Sequence, residues 1–573
     1  MIVSARALFV AALAVMLVPL DASAQAIRGG DLPGRERERF VEPPPPLAQP
    51  RGPMIALPST APPSGAEKLN VNIRDICIKG ATVYSKEELA PLYADMIGHD
   101  VPVLALYDLA KRITAKYGDD GYVLSRAIVP PQTLSPRGAV PCLKIIEGYV
   151  DNVEWPAAVA PYRDFFTEYT AKITAQRPAN IRTIERYLLL AGDLPGLHFN
   201  ASLKPSKTHE GASTLVVEVV VKPVDLYGRL DNRGTPARGP TEYLLGASFN
   251  NLLHQHEQLT LNWADTIPHT GELQYAAANY RQVLTAEGLF AFLNASYGFG
   301  HPGTDILQSL DFKTASTLVE AGLAYPVIRS REKNLTLSGL AFLSDNVSDT
   351  NIVSPFQEDR LRGIRLKADG DWADRFLGIN QVNLTYSQGF HGLGSTDNAD
   401  PSGAADNSPS PSRLFGRVDF EKIEATLSRT QPLYGPFSAF GSIYAQYAFT
   451  PLLVPEQCGY GGRFFGRGYD PSELLGDHCL EGIVELRYDV PKFAPTVDQI
   501  QFYTFTDYGR LWLLAPASND LSFGTPGNFI AASAGLGARI GVLGHYTADL
   551  SVAKAIEGTR DDTRFFFILA AKY

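Results

Sequence analysis

From about residue 224 to the carboxyl terminus, apolar and polar side chains alternate in runs of about ten residues, broken by turn residues. In 256–265, Leu259, Leu261 and Trp263 alternate with Gln258, Thr260 and Asn262. In 479–490, Leu480, Val484, Leu486, Tyr488 and Val490 face one way while Glu481, Glu485, Arg487 and Asp489 face the other. A period of two is that of a strand with one apolar face. Sixteen strands are predicted, at about 224–233, 241–251, 256–265, 272–282, 286–297, 311–325, 333–345, 358–373, 378–390, 413–428, 437–449, 479–490, 499–510, 528–541, 545–554 and 563–573. Connections such as 252–255, 283–285, 374–377 and 542–544 are short, whereas 298–310, 391–412, 450–478 and 511–527 are long and fall on the opposite side. Short turns at one end, long loops at the other and an even strand count are the pattern of a transmembrane antiparallel barrel, whose wet lumen accepts charges that lipid would not. The last strand sets Phe565, Phe567, Leu569, Ala571 and Tyr573 on one face.

Ahead of this region helical and strand periods are mixed. Residues 70–148 read as strand, helix, helix, strand, strand: a strand over Val71 to Ile78, a helix entered through the capping-box pair Ser85 and Glu88, and a second helix that lines up Leu106, Leu109, Ala110, Ile113 and Tyr117. Strands at Tyr122 to Val129 and about Val140 to Glu147 complete the unit. The same order returns over 149–222, with a strand near Val150 to Trp155 and helices around Tyr162 to Ala175 and Ile181 to Ala191. The fold class is therefore two small α+β domains followed by an all-β barrel of about 16 strands.

Residues 1–24 read as a secretory signal: Arg6 carries charge, Ala7 to Leu20 is apolar, and Ala22-Ser23-Ala24 offers small residues for cleavage. The apolar run is shorter than the roughly 20 residues a spanning helix needs. Over 25–69, Arg35-Glu36-Arg37-Glu38-Arg39 has the composition of a short charged helix but, taken alone, reads rather as a solvated segment, and the prolines from Pro43 to Pro63 read as an extended linker. The net charge of -10, with no long basic stripe, argues against nucleic-acid binding. Four cysteines in an exported chain favour disulfides over metal or redox sites, and their spacing favours Cys77–Cys142 and Cys458–Cys479 among the three possible pairings. The second pair would bracket loop 450–478 and restrict it by about 3 kcal/mol in the chain-entropy picture. The chain carries no Walker-type P-loop, no HExxH site and no hydrolase triad, so neither an enzyme nor a bound cofactor or metal is expected. Histidines such as His254, His256, His301 and His478 read as surface or loop side chains.

The longest loop contains Gly461-Gly462-Arg463-Phe464-Phe465-Gly466-Arg467-Gly468-Tyr469-Asp470, and strand thirteen contains Phe505-Thr506-Asp507-Tyr508-Gly509, with Gln501, Tyr503, Phe505 and Asp507 towards the lumen. If the loop folds inward, the permanently charged fork of Arg467 needs a carboxylate. With Arg467-Gly468-Tyr469 and the Phe-x-Asp-x-Gly run at 505–509, the chain resembles the two-partner secretion outer-membrane transporters, the haemolysin-activator (ShlB-type, TpsB) branch of the POTRA-barrel superfamily. Gly-Ala-Thr-x-Tyr-Ser at 80–85 and Asp-Leu-Pro-Gly at 193–196 extend the resemblance over both α+β units, which correspond to POTRA 1 and POTRA 2.

The resemblance implies that loop 450–478 lies in the lumen with Arg467 bonded to Asp507, and that Gly468, Tyr469, Phe505 and Gly509 belong to the same gate. It also implies an amino-terminal plug segment within 25–69. The function implied is export: an unfolded secreted exoprotein binds the POTRA units in the periplasm by β-augmentation and crosses the outer membrane through the barrel. The implied partners are that exoprotein, outer-membrane lipid and the barrel-assembly machinery. The alternatives are a factor that inserts other barrels and a passive porin.

Overall fold

The computed structural model describes residues 29–50, 62–206, 209–397, 409–413, 415–492, 494–514, 527–558 and 560–573. The predicted signal segment and linker residues 51–61 lie outside the described residues, as do parts of the long loops at 391–412 and 511–527. Among the described residues no helix is long and apolar enough to cross a membrane.

The alternating region closes into a barrel of sixteen antiparallel strands. Strands one to eight are Val224–Asp231, Thr241–Asn250, Glu257–Ile267, Leu273–Val283, Phe290–Gly300, Lys313–Arg329, Lys333–Asp349 and Gln357–Ala373. Strands nine to sixteen are Ile379–Gly389, Glu421–Pro432, Phe437–Ala448, His478–Asp489, Val497–Trp512, Asn528–Val542, Tyr546–Glu557 and Thr563–Lys572. Strand sixteen pairs with strand one from Ile568 opposite Asp231 to Lys572 opposite Tyr227, which removes the free edges. Side chains divide as the alternation requires: Leu261, Trp263, Leu480, Val484 and Leu486 are exposed on the outer wall, while Glu481 and Glu485 are buried inside.

One predicted strand needs correction. Strand ten begins at Glu421 rather than near 413, because the preceding residues fold inward. The buried Arg413 donates through Nη1 to both carboxylate oxygens of Asp477, at 2.6 and 2.8 Å. Asp477 is fully enclosed, and an enclosed carboxylate requires a cation and hydrogen-bond donors.

In the first amino-terminal unit, Cys77–Lys79 pairs in parallel with Cys142–Ile146, which pairs antiparallel with Arg126–Ile128. The predicted strand over Val71 to Ile78 is split, since Asn70–Asn72 pairs separately with Asp100–Pro102. The helix Leu104–Asp119 buries Leu106, Leu109, Ala110, Ile113 and Tyr117 against this sheet, and the Ser85 and Glu88 capping box opens the short helix Lys86–Leu89. Cys77 and Cys142 are opposite one another and form a disulfide. Glu147 accepts hydrogen bonds from the backbone amides of Thr82 and Val83 and from the Tyr117 hydroxyl. Burial works to raise its pKa, but these donors, with the Thr82 hydroxyl, outweigh burial and hold it below the ordinary value.

The second unit has the same construction: Tyr149–Glu154 pairs in parallel with Ala212–Val221, which pairs antiparallel with Leu197–Pro205. Its helices are Arg163–Thr174 and Ile181–Gly192, and its core extends onto the barrel through Val283 and Ala286. Asp193 meets Arg329 of strand six with two bonds of 2.6 and 2.8 Å, and its carbonyl accepts from Arg281 of strand four. Tyr187 and Arg186 reach Glu287 in the turn between strands four and five, at 2.8 and 3.2 Å. The unit is therefore seated on the short-turn end of the barrel by an apolar contact ringed with ion pairs.

Candidate functional site: the lumen-inserted loop and the amino-terminal helix

The connection between strands eleven and twelve enters the barrel as a hairpin in which Cys458–Tyr460 pairs with Leu474–Gly476. Cys479 is the second residue of strand twelve, and its disulfide to Cys458 joins the hairpin to the wall. Cys458, Cys479 and Glu481 cluster closely enough to hold a metal ion, but both sulfurs are in the disulfide.

Arg467, Gly468 and Tyr469 lie at the inner part of this loop, and each is held by different atoms. The Arg467 guanidinium pairs with Glu485 of strand twelve at 2.6 Å and lies 4.9 Å from the Phe505 ring centroid. Glu485 is fully buried and also pairs with Arg487 at 2.6 Å and Arg539 at 2.9 Å. One carboxylate surrounded by three guanidinium groups is a charge-assisted cluster, and its Arg539 pairs with a second carboxylate, Asp549, at 3.2 Å.

The expected Arg467 to Asp507 pair needs correction, because the contact is made by the backbone of Arg467. Its amide donates to Asp507 Oδ2 at 3.0 Å. Asp507 also accepts from the Tyr460 hydroxyl at 2.7 Å and from the backbone amide and hydroxyl of Ser533 at 3.1 and 2.6 Å. Those four donors leave the carboxylate satisfied without a cation, and the guanidinium turns to Glu485, which accepts from no backbone amide among the described residues. Asp507 is thus the acceptor that fixes the loop's path, and Glu485 is the counter-charge.

The other motif residues act through shape. The Gly468 amide donates to Ser533 Oγ at 3.0 Å, and a β-carbon there would stand 2.8 Å from Ser533 Cβ. Tyr469 is buried against Tyr460 and its hydroxyl donates to the carbonyl of Glu557. Gly509 faces the Tyr460 ring so closely that a β-carbon would fall 2.3 Å from it, so the ring that reaches Asp507 requires a residue with no side chain there. Asp470, fully buried, pairs with Arg560 at 2.9 Å and Arg564 at 2.7 Å, which ties the loop to the last hairpin. Sequence reading missed Glu485, Ser533 and Tyr460 as partners, although the inward position of Glu485 was visible in the alternation.

A second body fills the lumen. The helix Glu36–Phe40 and the turn Gly29–Asp31 lie inside the barrel, with Asp31, Arg35, Glu36, Arg39 and Phe40 buried. This corrects the reading of 35–39 as a solvated run. Each charge meets its opposite: Glu36 with Arg238 at 3.0 Å, Arg39 with Glu242 at 2.8 Å and Arg37 with Glu320 at 3.1 Å. Arg35 donates to the Gln457 carbonyl at 2.5 Å and to Ser472 Oγ at 3.0 Å, so the helix bears on the inserted loop as well as the wall. From Val41 the chain runs extended towards the short-turn end, where the Ala48 amide donates to Asp371 and the Gln49 amide to the Arg331 carbonyl.

Comparison with known proteins agrees with this architecture. Residues 211–540 match the family described as haemolysin secretion/activation protein ShlB/FhaC/HecB, and residues 71–148 match the ShlB-type POTRA domain. The chain is similar to the heme/hemopexin transporter protein HuxB of Haemophilus influenzae strain 86-028NP, 23% identical over 480 residues that cover 83% of this chain and 82% of the relative. It is also 23% identical to the outer membrane transporter CdiB of Escherichia coli, over 87% of this chain and 82% of that one. Among solved structures, CdiB from Escherichia coli superposes with a TM-score of 0.69 at 18% identity, covering 91% of this chain and 94% of that one. CdiB from Acinetobacter baumannii gives 0.57 at 16% identity, covering 93% and 94%. A closed sixteen-strand barrel, a POTRA domain and an inserted Arg-Gly-Tyr loop come together in one chain, and this chain belongs to the ShlB/FhaC/HecB family of two-partner secretion transporters in the outer membrane, with its POTRA region in the periplasm.

Proposed function

We propose that the amino-terminal helix is the plug of the export path and the inserted loop its frame. In this reading residues 149–222 are a second POTRA domain, and a secreted exoprotein is engaged by the two POTRA domains before passing through the lumen. The observation that carries the proposal is the way the helix is held: its charged side chains pair with the wall, its Asp31 and Arg39 carbonyls accept from wall arginines, and among the described residues no strand ladder joins it to the barrel, while its tether leaves by the periplasmic mouth. Ion pairs can be exchanged for others of the same charge pattern without breaking a strand ladder. An incoming chain can therefore replace the helix without unfolding the barrel.

Recognition falls to exposed strand edges. Leu197–Pro205 is an edge strand whose outer half is exposed, and its free backbone groups suit an extended client that adds as a further strand. The client itself is a secreted exoprotein, as the transporter relatives suggest; HuxB is named for heme and hemopexin, and that name describes HuxB. No nucleotide site is used in this scheme, and folding of the client outside supplies the direction.

The test is secretion in a strain that carries the chain with its neighbouring exoprotein gene. Export lost on deletion of this chain, with other barrels assembled normally, is the expected result. General failure of barrel assembly would instead indicate an insertion factor.

A further inference from the structure

The outer wall carries a groove that neither the loop nor the helix uses. It has a volume of about 620 Å³ and crosses strands ten to thirteen, lined by the outward side chains of Leu427, Ile443, Val484, Thr506 and Tyr508. Its floor is low because the outward positions Gly441 on strand eleven and Gly482 on strand twelve carry no side chain. A β-carbon on either would meet only a single backbone oxygen 3.8 Å away, so the space above both is open. Three interstrand steps of about 4.8 Å make the floor roughly 14 Å long. Leucines flank it: Leu427 and Leu486 are about half exposed, and so project as walls.

The groove has one charged end. Arg429 and Trp372 line it close to the periplasmic turns, Arg429 standing three residues before the end of strand ten. The Arg429 side chain is 40% exposed on the wall and is held in place by Asp374 at 2.6 Å and Asn380 at 2.6 Å. Asp374 balances that charge, but its neighbour in the same turn, Arg375, is exposed and makes no ion pair among the described residues. The turn that adjoins this end of the groove thus brings one excess positive charge beside it. Phe376, Leu377, Leu433 and Tyr434 are exposed on the two adjoining turns and bring the rim into the interfacial layer.

We propose that this groove binds one glycerophospholipid with an anionic headgroup from the periplasmic leaflet. Its acyl chain lies over Gly441 and Gly482, and its phosphate meets Arg429 and Arg375. Two features choose this occupant over another protein. The wall lies in a bilayer whose phospholipids are apolar at one end and carry an anionic phosphate at the other, and the groove has that same polarity along its length. Cationic side chains near a barrel's rim reach such headgroups while their stems stay against apolar surface. An aromatic beside them, here Trp372, is the side chain that stabilises an interfacial position.

The test uses the full chain, purified in detergent, delipidated and titrated with dioleoyl phosphatidylglycerol, with bound lipid counted by native mass spectrometry. One lipid retained per chain is expected at activation energies that strip the rest. Arg429→Gln should lower that retention at least fivefold while leaving retention of uncharged dioleoylglycerol unchanged. Gly441→Leu with Gly482→Leu, which fills open space, should lower both. Heat-modifiable migration on gels establishes that each variant is a closed barrel. Equal retention in all three proteins would overturn the proposal and reduce the groove to ordinary annular contact. A dimer that disappears on filling the groove, with phosphatidylglycerol retention unchanged, would assign the surface to a second copy of the chain and likewise overturn it.

Discussion

The inserted loop and the amino-terminal helix share one lumen and are both surrounded by charge, yet they are attached in different ways. The loop is continuous with strands eleven and twelve at both ends, is bridged to the wall by Cys458–Cys479, and has backbone amides bonded to Asp507 and Ser533. The helix is held mainly through side chains, with Glu36, Arg39 and Arg37 each paired to the wall, and where its backbone takes part the Asp31 and Arg39 carbonyls accept from the side chains of Arg238 and Arg229. Backbone-directed bonds fix a path, because moving them means moving the chain. Side-chain pairs fix only a charge balance, which other charges can supply. Under the proposed function, the contrast separates a permanent constriction from a removable stopper.

The largest effect should come from the centre of the loop cluster. Glu485→Ala leaves Arg467, Arg487 and Arg539 around an empty site, and stranding buried charge costs about 3–5 kcal/mol. Loss of secretion and a lower urea midpoint of the detergent-solubilised barrel are expected; an unchanged midpoint would show that the cluster is solvated. Next, a double-mutant cycle should find coupling of roughly 0.5–3 kcal/mol between Arg467→Ala and Glu485→Gln. The same cycle with Asp507→Asn should find little, since Asp507 contacts the backbone of Arg467. Coupling that favours Asp507 would restore the pairing expected from the motif alone.

For the helix, deleting residues 29–50 should raise single-channel conductance in planar bilayers severalfold, whereas Arg467→Ala should raise it little. High salt should increase the open fraction of the unmodified chain only slightly more than that of the deletion variant, because screening weakens the partly exposed Arg37–Glu320 pair and leaves the enclosed pairs of Glu36 and Arg39 nearly unchanged. Equal conductance with and without the segment would remove its role as a plug.

Two smaller effects concern the periplasmic units. Asp193→Ala removes the two-bond contact with Arg329, which is partly exposed and contributes about 1 kcal/mol. Faster amide exchange in the turn between strands four and five would report it. Glu147 has a lowered folded pKa, so its contribution to the first unit is present above its unfolded pKa and is lost as pH falls through the folded value. Acid unfolding of that unit should therefore lose one steep component in Glu147→Gln; an identical pH profile would contradict the assignment.

Much of this molecule is legible in its sequence. Alternation with a period of two predicts sixteen strands and the side of each residue, because lipid and water select opposite faces of every strand. The capping pair Ser85 and Glu88 and the apolar stripe from Leu106 to Tyr117 likewise place their helices from local chemistry. Strand ten was misplaced at its start, since a segment that folds into a wet lumen alternates as a strand does.

The site was legible in its residues and not in its bonds. Arg467 and Asp507 are adjacent, but which atom of Arg467 meets Asp507 depended on Ser533 and Tyr460 having already satisfied the carboxylate. Arg35 to Arg39 read as solvated because a charged run is soluble unless a cavity of matching charge exists. That cavity is assembled from Arg238, Glu242 and Glu320, some two hundred residues or more further along the chain. By itself the sequence determined the strand count, the faces and the identities of the motif residues, all of which follow from local periodicity and side-chain chemistry. Only the tertiary structure decided which charges pair inside the lumen and that the amino-terminal helix enters it, because both depend on closing the barrel and bringing distant strands around one space.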